Sequence, residues 1–118
     1  MARAALDAGA DIVNDISALS FDAAMAPLVA GEKVPVILMH MRGTPRTMQS
    51  DPQYRDVVRE VRDFLAERLY DAMDAGIDAE AIVLDPGIGF GKTVEHNIQL
   101  LRGLSILGAL GQPLLVGV

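Results

Sequence analysis

The stretch Ala81-Ile82-Val83-Leu84-Asp85-Pro86-Gly87-Ile88-Gly89-Phe90-Gly91-Lys92-Thr93 decides how the rest of the chain is interpreted. Its apolar run 81–84 is typical of a strand that is covered on both faces, as in a parallel sheet. Pro86 has no N–H for a ladder, so strand pairing is expected to stop there. Asp85 therefore lies at the carboxyl end of a predicted strand, which is where α/β proteins bind their ligands.

The residues of this stretch alone leave three interpretations open. Gly91-Lys92-Thr93 ends like a phosphate-binding P-loop, but the first glycine of that motif would fall at position 86, which is proline. A purely structural role is also possible, with Asp85 capping a turn and the glycines making a tight connection to a helix that Thr93 caps. The third interpretation, a binding site for another ligand, depends on the rest of the chain.

Composition excludes several classes of protein. The 118 residues are 51% hydrophobic, which suits one small domain or a piece of one and does not suit disorder. A net charge of −6 and an aromatic content of 4% argue against nucleic acid as a partner. The chain has no cysteine, which excludes disulfides and thiolate metal sites and fits a cytoplasmic protein. We expect no signal peptide and no membrane partner, because no apolar run approaches the roughly 20 residues that span a bilayer.

Strands and helices alternate along the chain. Besides the strand at 81–84, apolar segments predict strands at 10–16, 34–41 and 113–118. Helices are predicted before Gly9, from Ser20 or Asp22 to about Ala30, from Asp51-Pro52 to Gly76, and from about Val94 to Leu107. A polar loop with two arginines is predicted from Arg42 to Ser50. This order predicts an α/β fold with about four parallel strands and right-handed crossovers.

Distinctive residues follow each predicted strand. Asn14-Asp15-Ile16 ends the first, Met39-His40-Met41-Arg42-Gly43 ends the second, and Asp85-Pro86-Gly87-x-Gly89-Phe90-Gly91-Lys92 ends the third. Pro45-x-Thr47-Met48-Gln49 follows the second motif, and Leu114-Leu115-Val116-Gly117 forms the fourth strand. This set, in this order and over essentially all 118 residues, strongly resembles the dihydropteroate synthase family, the sulfonamide target of folate biosynthesis.

The resemblance implies a fold and a reaction. The family has a (β/α)8 barrel of roughly 250 residues, so residues 1–118 would be a partial pterin-binding domain, equivalent to the fourth to seventh βα units. The implied reaction joins 6-hydroxymethyl-7,8-dihydropterin diphosphate to 4-aminobenzoate, giving 7,8-dihydropteroate and diphosphate. An enzyme for that reaction must hold the pterin and stabilise the departing negative charge.

The resemblance also assigns roles to individual residues. Asp85 matches the aspartate that binds the pterin ring, where two acceptor oxygens suit a donor–donor edge and where its charge disperses positive charge in the reaction. Asn14 matches a pterin-contacting asparagine, whose amide can both donate and accept. Without the resemblance, Asn14 fits a turn residue at a strand end equally simply.

The remaining assignments are apolar or lie in the glycine loop. Ile16 and Met39 resemble residues that sandwich the pterin, although each alone would be interpreted as core. Phe90 matches a residue that borders the aminobenzoate site, and Lys92 would orient the loop or attract diphosphate. The two histidines receive no chemical step, His40 as a core residue and His96 as a surface residue.

Cofactor, partners and alternatives complete the prediction. The resemblance implies Mg2+ with the diphosphate, but its ligand belongs to a region that this chain lacks, so no metal ligand is predicted here. Alternatives are a related pterin-binding barrel that transfers methyl groups from methyltetrahydrofolate to a corrinoid, and a non-catalytic half-barrel. Four strands of eight leave open edges and an apolar face, so we expect a homo-oligomer and little or no synthase activity from this chain alone.

Overall fold

The computed structural model describes residues 1–42 and 53–118. Most of the loop predicted from Arg42 to Ser50 and the predicted helix start at Asp51-Pro52 lie outside the described residues. Helices and strands alternate as predicted: α1 (Ala2–Asp7), β1 (Val13–Asp15), α2 (Met25–Glu32), β2 (Val36–Met39), α3 (Val57–Asp74), β3 (Ile82–Asp85), α4 (Val94–Arg102) and α5 (Leu104–Gly108). No helix in these two ranges is long and apolar enough to cross a membrane.

Three parallel strands form the sheet, in the order β1-β2-β3. The α/β prediction is therefore confirmed, whereas the fourth strand is reduced to a bridge between Leu84 and Leu114. Two backbone hydrogen bonds make that bridge: Leu84 N donates to Pro113 O (3.0 Å) and Leu115 N donates to Leu84 O (2.9 Å). Pro113 has no N–H to extend the pairing, which explains why the ladder stays this short.

The two faces of the sheet have different surroundings. Side chains alternate along a strand, so the strand register assigns every residue to one face or the other. One face, which we call the helix face, packs into a single core with α3, α4 and α5; its apolar residues are Val13, Val36, Leu38, Ile82 and Leu84. The opposite face, which we call the Asp85 face, carries Asn14, Ile37, Met39, Val83 and Asp85.

Two predicted helix boundaries are wrong. The longest helix begins at Val57 instead of Pro52, because the Asp56 side chain accepts a hydrogen bond from Arg59 N (3.2 Å) and caps it. Helix α2 passes through Gly31 and ends at Glu32, since Lys33 adopts the left-handed conformation (φ 55°) that ends a helix.

The predicted helix from Val94 to Leu107 is two helices that meet at Gly103. A side chain at Gly103 would begin only 2.8 Å from Cγ1 of Val58 on α3, so the close approach of the helices requires glycine there. The predicted cap at the other end is confirmed, because Thr93 Oγ1 accepts from His96 N (3.2 Å) while Thr93 N donates to His96 Nδ1 (3.0 Å). This reciprocal pair starts α4 directly after the glycine loop.

Candidate functional site

The candidate site lies at the carboxyl ends of β2 and β3. The register pairs Met39 with Asp85 as the last residues of the two strands. One further backbone hydrogen bond, from His40 N to Asp85 O (2.9 Å), continues the ladder past the strand ends. A cavity of about 460 Å3 near Lys33, Pro35 and Asp78 contains none of the predicted site residues, because it lies at the amino-terminal ends of β2 and β3.

Asp85 is a buried carboxylate that keeps unused hydrogen-bonding capacity. It is 6% exposed, and its Oδ1 accepts from Gly87 N at 2.8 Å. This is its one hydrogen bond to the described part of the chain. Burial raises the pKa of Asp85 above its usual value, while the Gly87 N–H and the positive charge of Lys92 act in the opposite direction. Oδ2 can therefore accept from a ligand that approaches the Asp85 face.

Asp15, at the end of β1, has the opposite arrangement. The strand register places it on the helix face, beside Leu38 and Leu84. Oδ1 accepts from Ser17 N (2.8 Å) and Ser17 Oγ (2.6 Å), and Oδ2 accepts from Leu19 N (3.2 Å). Both oxygens thus hold the turn that follows β1, so Asp15 fits the turn-capping role that was considered for Asp85.

The loop after Asp85 depends on Gly87. Its φ of 72° lies in the left-handed region, and a Cβ there would lie 2.0 Å from the His40 carbonyl oxygen. Phe90 N donates to Gly87 O (3.0 Å), and Asn97 Oδ1 on α4 accepts from Gly89 N (3.0 Å). The loop is therefore folded tightly against the end of β2 and the first turns of α4.

Lys92 is turned into the protein. It is 2% exposed, and Nζ donates to Gly87 O and Phe90 O at 2.8 Å each and more weakly to His40 O at 3.4 Å. Burial lowers the pKa of Lys92 to about 7, against an opposing effect of Asp85. The ammonium thus joins both ends of the glycine loop to the end of β2.

A cluster of aromatic side chains surrounds the other side of the loop. His40 is 4% exposed and stands edge-on to Phe64, with 4.8 Å between ring centroids. Burial, then Lys92 and Arg42, lower the pKa of His40 to about 3, so the ring is neutral near neutral pH. The predicted core position is confirmed, but His40 Nδ1 is buried without a hydrogen-bond partner in the described part of the chain.

Tyr54 belongs to the site although the sequence analysis did not select it. Its hydroxyl donates to Gly91 O (3.0 Å), its ring stands edge-on to His96 (4.8 Å), and the Arg42 guanidinium lies 4.2 Å from the ring centroid. Arg42 in turn pairs with Glu60 at 3.1 Å. A tyrosine shortly before a helix is indistinguishable by pattern from a core residue, so no sequence signal identified this contact.

The structure places the remaining predicted residues at different distances from this centre. Asn14 is exposed on the Asp85 face, on β1, where it pairs in register with Ile37 of the central strand. Ile16 is half-buried in the turn after β1, and Phe90 is half-buried in the glycine loop. The parallel sheet thus brings Asn14, Met39 and Asp85 to one face, with Phe90 and Lys92 in the loop that follows.

A metal site does not fit these residues. Within residues 1–42 and 53–118, no group of three His, Cys, Asp or Glu side chains could hold a metal ion. The carboxylate of Asp85 lies beside one ammonium and one N–H donor, which is a poor environment for a cation.

Known proteins with similar sequences share this arrangement. The sequence profile of the family described as "Pterin binding enzyme" matches residues 1–118. The dihydropteroate synthase of Synechocystis sp. is 51% identical over 117 residues, which are 99% of this chain and 40% of that protein. The dihydropteroate synthase of Mycobacterium leprae is 50% identical over 119 residues, 99% of this chain and 42% of that protein. The chain thus spans about 40% of the length of such relatives.

Solved structures of dihydropteroate synthases superpose on the chain closely. The Stenotrophomonas maltophilia protein, with imidazole in its active site, matches with a TM-score of 0.93 and 46% identity, covering 98% of this chain and 43% of that one. The Thermus thermophilus protein in complex with 4-aminobenzoate matches with a TM-score of 0.91 and 46% identity, covering 98% and 46%. These matches confirm the predicted partial barrel.

Proposed function

Since this chain belongs to the pterin-binding enzyme family, as a segment of dihydropteroate synthase type, we propose that it supplies the pterin-binding part of a dihydropteroate synthase. The whole enzyme would condense 6-hydroxymethyl-7,8-dihydropterin diphosphate with 4-aminobenzoate. The C–O bond to diphosphate breaks, the amine nitrogen bonds to the CH2 carbon and loses a proton, and 7,8-dihydropteroate results. The chain by itself is expected to show little or no turnover.

The observation that carries this proposal is the buried, incompletely satisfied carboxylate of Asp85. Its Oδ2 has no donor among the described residues, and burial strengthens any hydrogen bond that a ligand makes to it. The 2-amino and ring N–H groups of a pterin form a donor–donor edge that two carboxylate oxygens match. As the diphosphate departs, the same negative charge stabilises positive charge that develops on the pterin.

The other predicted residues complete the proposed pocket. Met39, beside Asp85 on the central strand, provides an apolar wall for the flat ring, and Ile16 provides a second wall from the turn after β1. Asn14 supplies mixed donor and acceptor groups from the same sheet face, and Phe90 borders the aminobenzoate site from the loop. Lys92 acts through this loop, because its ammonium points to backbone carbonyls instead of outward toward diphosphate.

Ligands in the solved relatives support the assignment of substrates. Structures of the Xanthomonas albilineans protein contain 4-aminobenzoic acid or 7,8-dihydropteroate, the Thermus thermophilus protein has been solved with 6HMPPP, and the Yersinia pestis protein with a sulfonamide drug. We propose the same ligand classes for the whole enzyme to which this chain corresponds. Mg2+ would bind with the diphosphate through residues outside this segment, so no step assigned to Asp85 depends on it.

Two further properties belong to the proposal. We expect the whole enzyme to act in the cytoplasm, because its chain has no cysteine and its relatives make a soluble cofactor precursor. We also expect the 118-residue chain to self-associate, because β1 is an edge strand and the other edge carries only a bridge. Light scattering after size-exclusion chromatography would test this, and a concentration-independent monomer would contradict it.

A chimera gives the sharpest test of the proposed function. Residues 1–118 would replace the matching segment of the Synechocystis synthase, which supplies the remaining strands. We expect this chimera to form 7,8-dihydropteroate. Asp85→Asn keeps the size and one acceptor but loses the charge and the second acceptor, so turnover should fall by about 100-fold or more, the typical effect of losing one transition-state contact.

Asp15→Asn is the matched control for the chimera. It makes the same change at the end of a neighbouring strand, on the opposite face of the sheet. We expect it to lower stability modestly and to leave turnover within a few-fold of the unmodified chimera. A chimera that melts like its parent but makes no product would refute the proposed function, and so would an Asp85→Asn chimera with undiminished turnover.

A further inference from the structure

Three tethers hold the glycine loop, and only one of them carries a charge. Tyr54 Oη donates to Gly91 O (3.0 Å), and Asn97 Oδ1 accepts from Gly89 N (3.0 Å); both are neutral. Lys92 is the third tether, with Nζ donating to Gly87 O and Phe90 O at 2.8 Å each. A fully buried side chain with a charge is uncommon, because burying a charge costs free energy that a neutral donor would not require. The neutral tethers show that hydrogen bonding alone does not require an ammonium here.

The charge of Lys92 has a target within one residue of its hydrogen bond. Gly87 accepts from Lys92 Nζ through its carbonyl oxygen and donates to Asp85 Oδ1 through its N–H (2.8 Å). The ammonium and the carboxylate are therefore joined by a single glycine whose conformation is fixed by contact with His40 O. Each group favours the charged form of the other, since Lys92 lowers the pKa of Asp85 and Asp85 raises the pKa of Lys92.

On the basis of the proposed function, we propose that Lys92 is a positioning residue: its buried ammonium locks the loop after Asp85 and keeps the Asp85 carboxylate ionised for the pterin. Lys92 does not touch substrate in this arrangement. It acts through Gly87, which carries both the geometry and the electrostatic effect to Asp85. Loss of the ammonium would leave the carbonyls of Gly87 and Phe90 without this donor and would make the charged form of Asp85 less favourable.

The other titratable groups around the loop define what a pH experiment must separate. Arg42, after β2, lowers the pKa of Lys92 and of His40, and His40 is itself neutral at the pH values of interest. Tyr54, before α3, has a raised pKa, and His96 on α4 contacts its ring. None of these groups is bonded to the Asp85 carboxylate, so the Lys92–Asp85 pair can be followed separately.

The chain offers an unusually direct spectroscopic test, because Lys33 and Lys92 are its only lysines. Lys33 is exposed and serves as an internal reference. With [ε-13C]lysine, heteronuclear NMR should show one signal that titrates near the ordinary lysine value and one that titrates at a pKa of about 7. Asp85→Asn should lower the second pKa further, and Asp15→Asn should leave it unchanged.

This titration needs no substrate, so its result is independent of whether the proposed function is correct. Two lysine signals that titrate together would overturn the proposal, because a buried strut could not titrate like exposed Lys33. A Lys92 signal that does not respond to Asp85→Asn would also overturn it, since the two charges would then be uncoupled.

A second experiment measures the consequence for pterin binding in the Synechocystis chimera. Binding of 6-hydroxymethylpterin would be titrated from about pH 5 to pH 8 for the unmodified chimera, Lys92→Gln and Tyr54→Phe. The ligand requires ionised Asp85, so affinity is lost as the pH falls through the pKa of Asp85. Removing the Lys92 charge raises that pKa, so Lys92→Gln should lose affinity at a higher pH, by about tenfold for each pH unit of displacement.

Tyr54→Phe is the matched control because it removes a neutral hydrogen bond to the same loop. It should weaken binding by a similar factor at every pH and leave the shape of the profile unchanged. A Lys92→Gln profile that is only lowered, without displacement along the pH axis, would reduce Lys92 to a structural residue and refute its electrostatic role.

Discussion

The helix face and the Asp85 face of the same three strands are used for different purposes. On the helix face, Leu38 and Leu84 are fully buried and pack into the common core. On the Asp85 face, Ile37 and Met39 lie outside that core, and the strand ends carry a carboxylate. One face of the sheet therefore contributes stability, and the other presents the groups available to a ligand.

The two strand-end aspartates make the same comparison at the level of single residues. Asp15 and Asp85 both follow an apolar strand segment, and both accept a backbone N–H two residues later, from Ser17 and Gly87 respectively. Asp15 spends its second oxygen on Leu19 N as well, whereas Asp85 retains one oxygen for a ligand. The teaching is that a polar strand end becomes a site only where the turn leaves an acceptor unused.

Gly87→Ala should break this comparison most severely. The added Cβ would overlap His40 O at 2.0 Å and would be held at a φ of 72°. Left-handed strain and overpacking together predict a loss of about 2–6 kcal/mol in the free energy of unfolding, measured by urea denaturation. Gly89→Ala has a similar φ of 86° but meets nothing within 4 Å, so it should lose only the strain, about 1–3 kcal/mol. Equal losses for both variants would show that the His40 contact does not constrain the loop.

Truncation of neighbouring residues on β2 should separate the two faces. Leu38→Ala removes a side chain that is 0% exposed from the core, so the free energy of unfolding should fall by about 2–5 kcal/mol. Met39→Ala, at a position that is 3% exposed on the Asp85 face, should lose less stability and more pterin affinity in the chimera. Urea denaturation and calorimetric titration would be run on both variants. The comparison would fail if Met39→Ala cost as much stability as Leu38→Ala and left affinity unchanged.

His40, next to Met39, should make stability depend on pH. Its pKa is about 3 in the folded chain against 6.5 for an exposed histidine, so the unfolded state binds the proton first. Stability from this residue is therefore complete above pH 6.5 and declines as the pH falls toward 3. Between about pH 6.5 and pH 5 the loss should be about 1–2 kcal/mol. His40→Leu should remove this part of the decline; identical urea midpoint profiles for the two proteins would contradict a buried neutral ring.

The two confirmed helix caps should show the smallest difference. Asp56→Ala and Thr93→Ala each remove one side-chain cap, so each should lower the free energy of unfolding by about 1 kcal/mol. Only Thr93 adjoins the glycine loop, so only Thr93→Ala should speed amide hydrogen exchange at Gly89 and Gly91. Faster exchange at these amides in Asp56→Ala would mean that the loop responds to stability in general and not to its own cap.

Much of the fold and part of the site could be predicted from the sequence. The strand ending at Asp85, the cap at Thr93 and the alternation of strands and helices follow from local rules on apolar runs, capping residues and proline. The break at Gly103 could not be predicted, because it depends on the distance to Val58 of another helix. Tyr54 was missed for the same reason, since its hydrogen bond joins residues that are far apart in sequence.

The sequence by itself determined which groups stand at the strand ends, because a period of two and the turn residues are local properties of the chain. The resemblance of its motifs to dihydropteroate synthases also came from sequence, and the family profile over residues 1–118 confirms it. Only the tertiary structure decided that Asp15 is consumed by its turn while Asp85 is not, and that Lys92 points inward. Those outcomes depend on which donors the folded chain brings within hydrogen-bonding distance, and that distance is set by packing between segments remote in sequence.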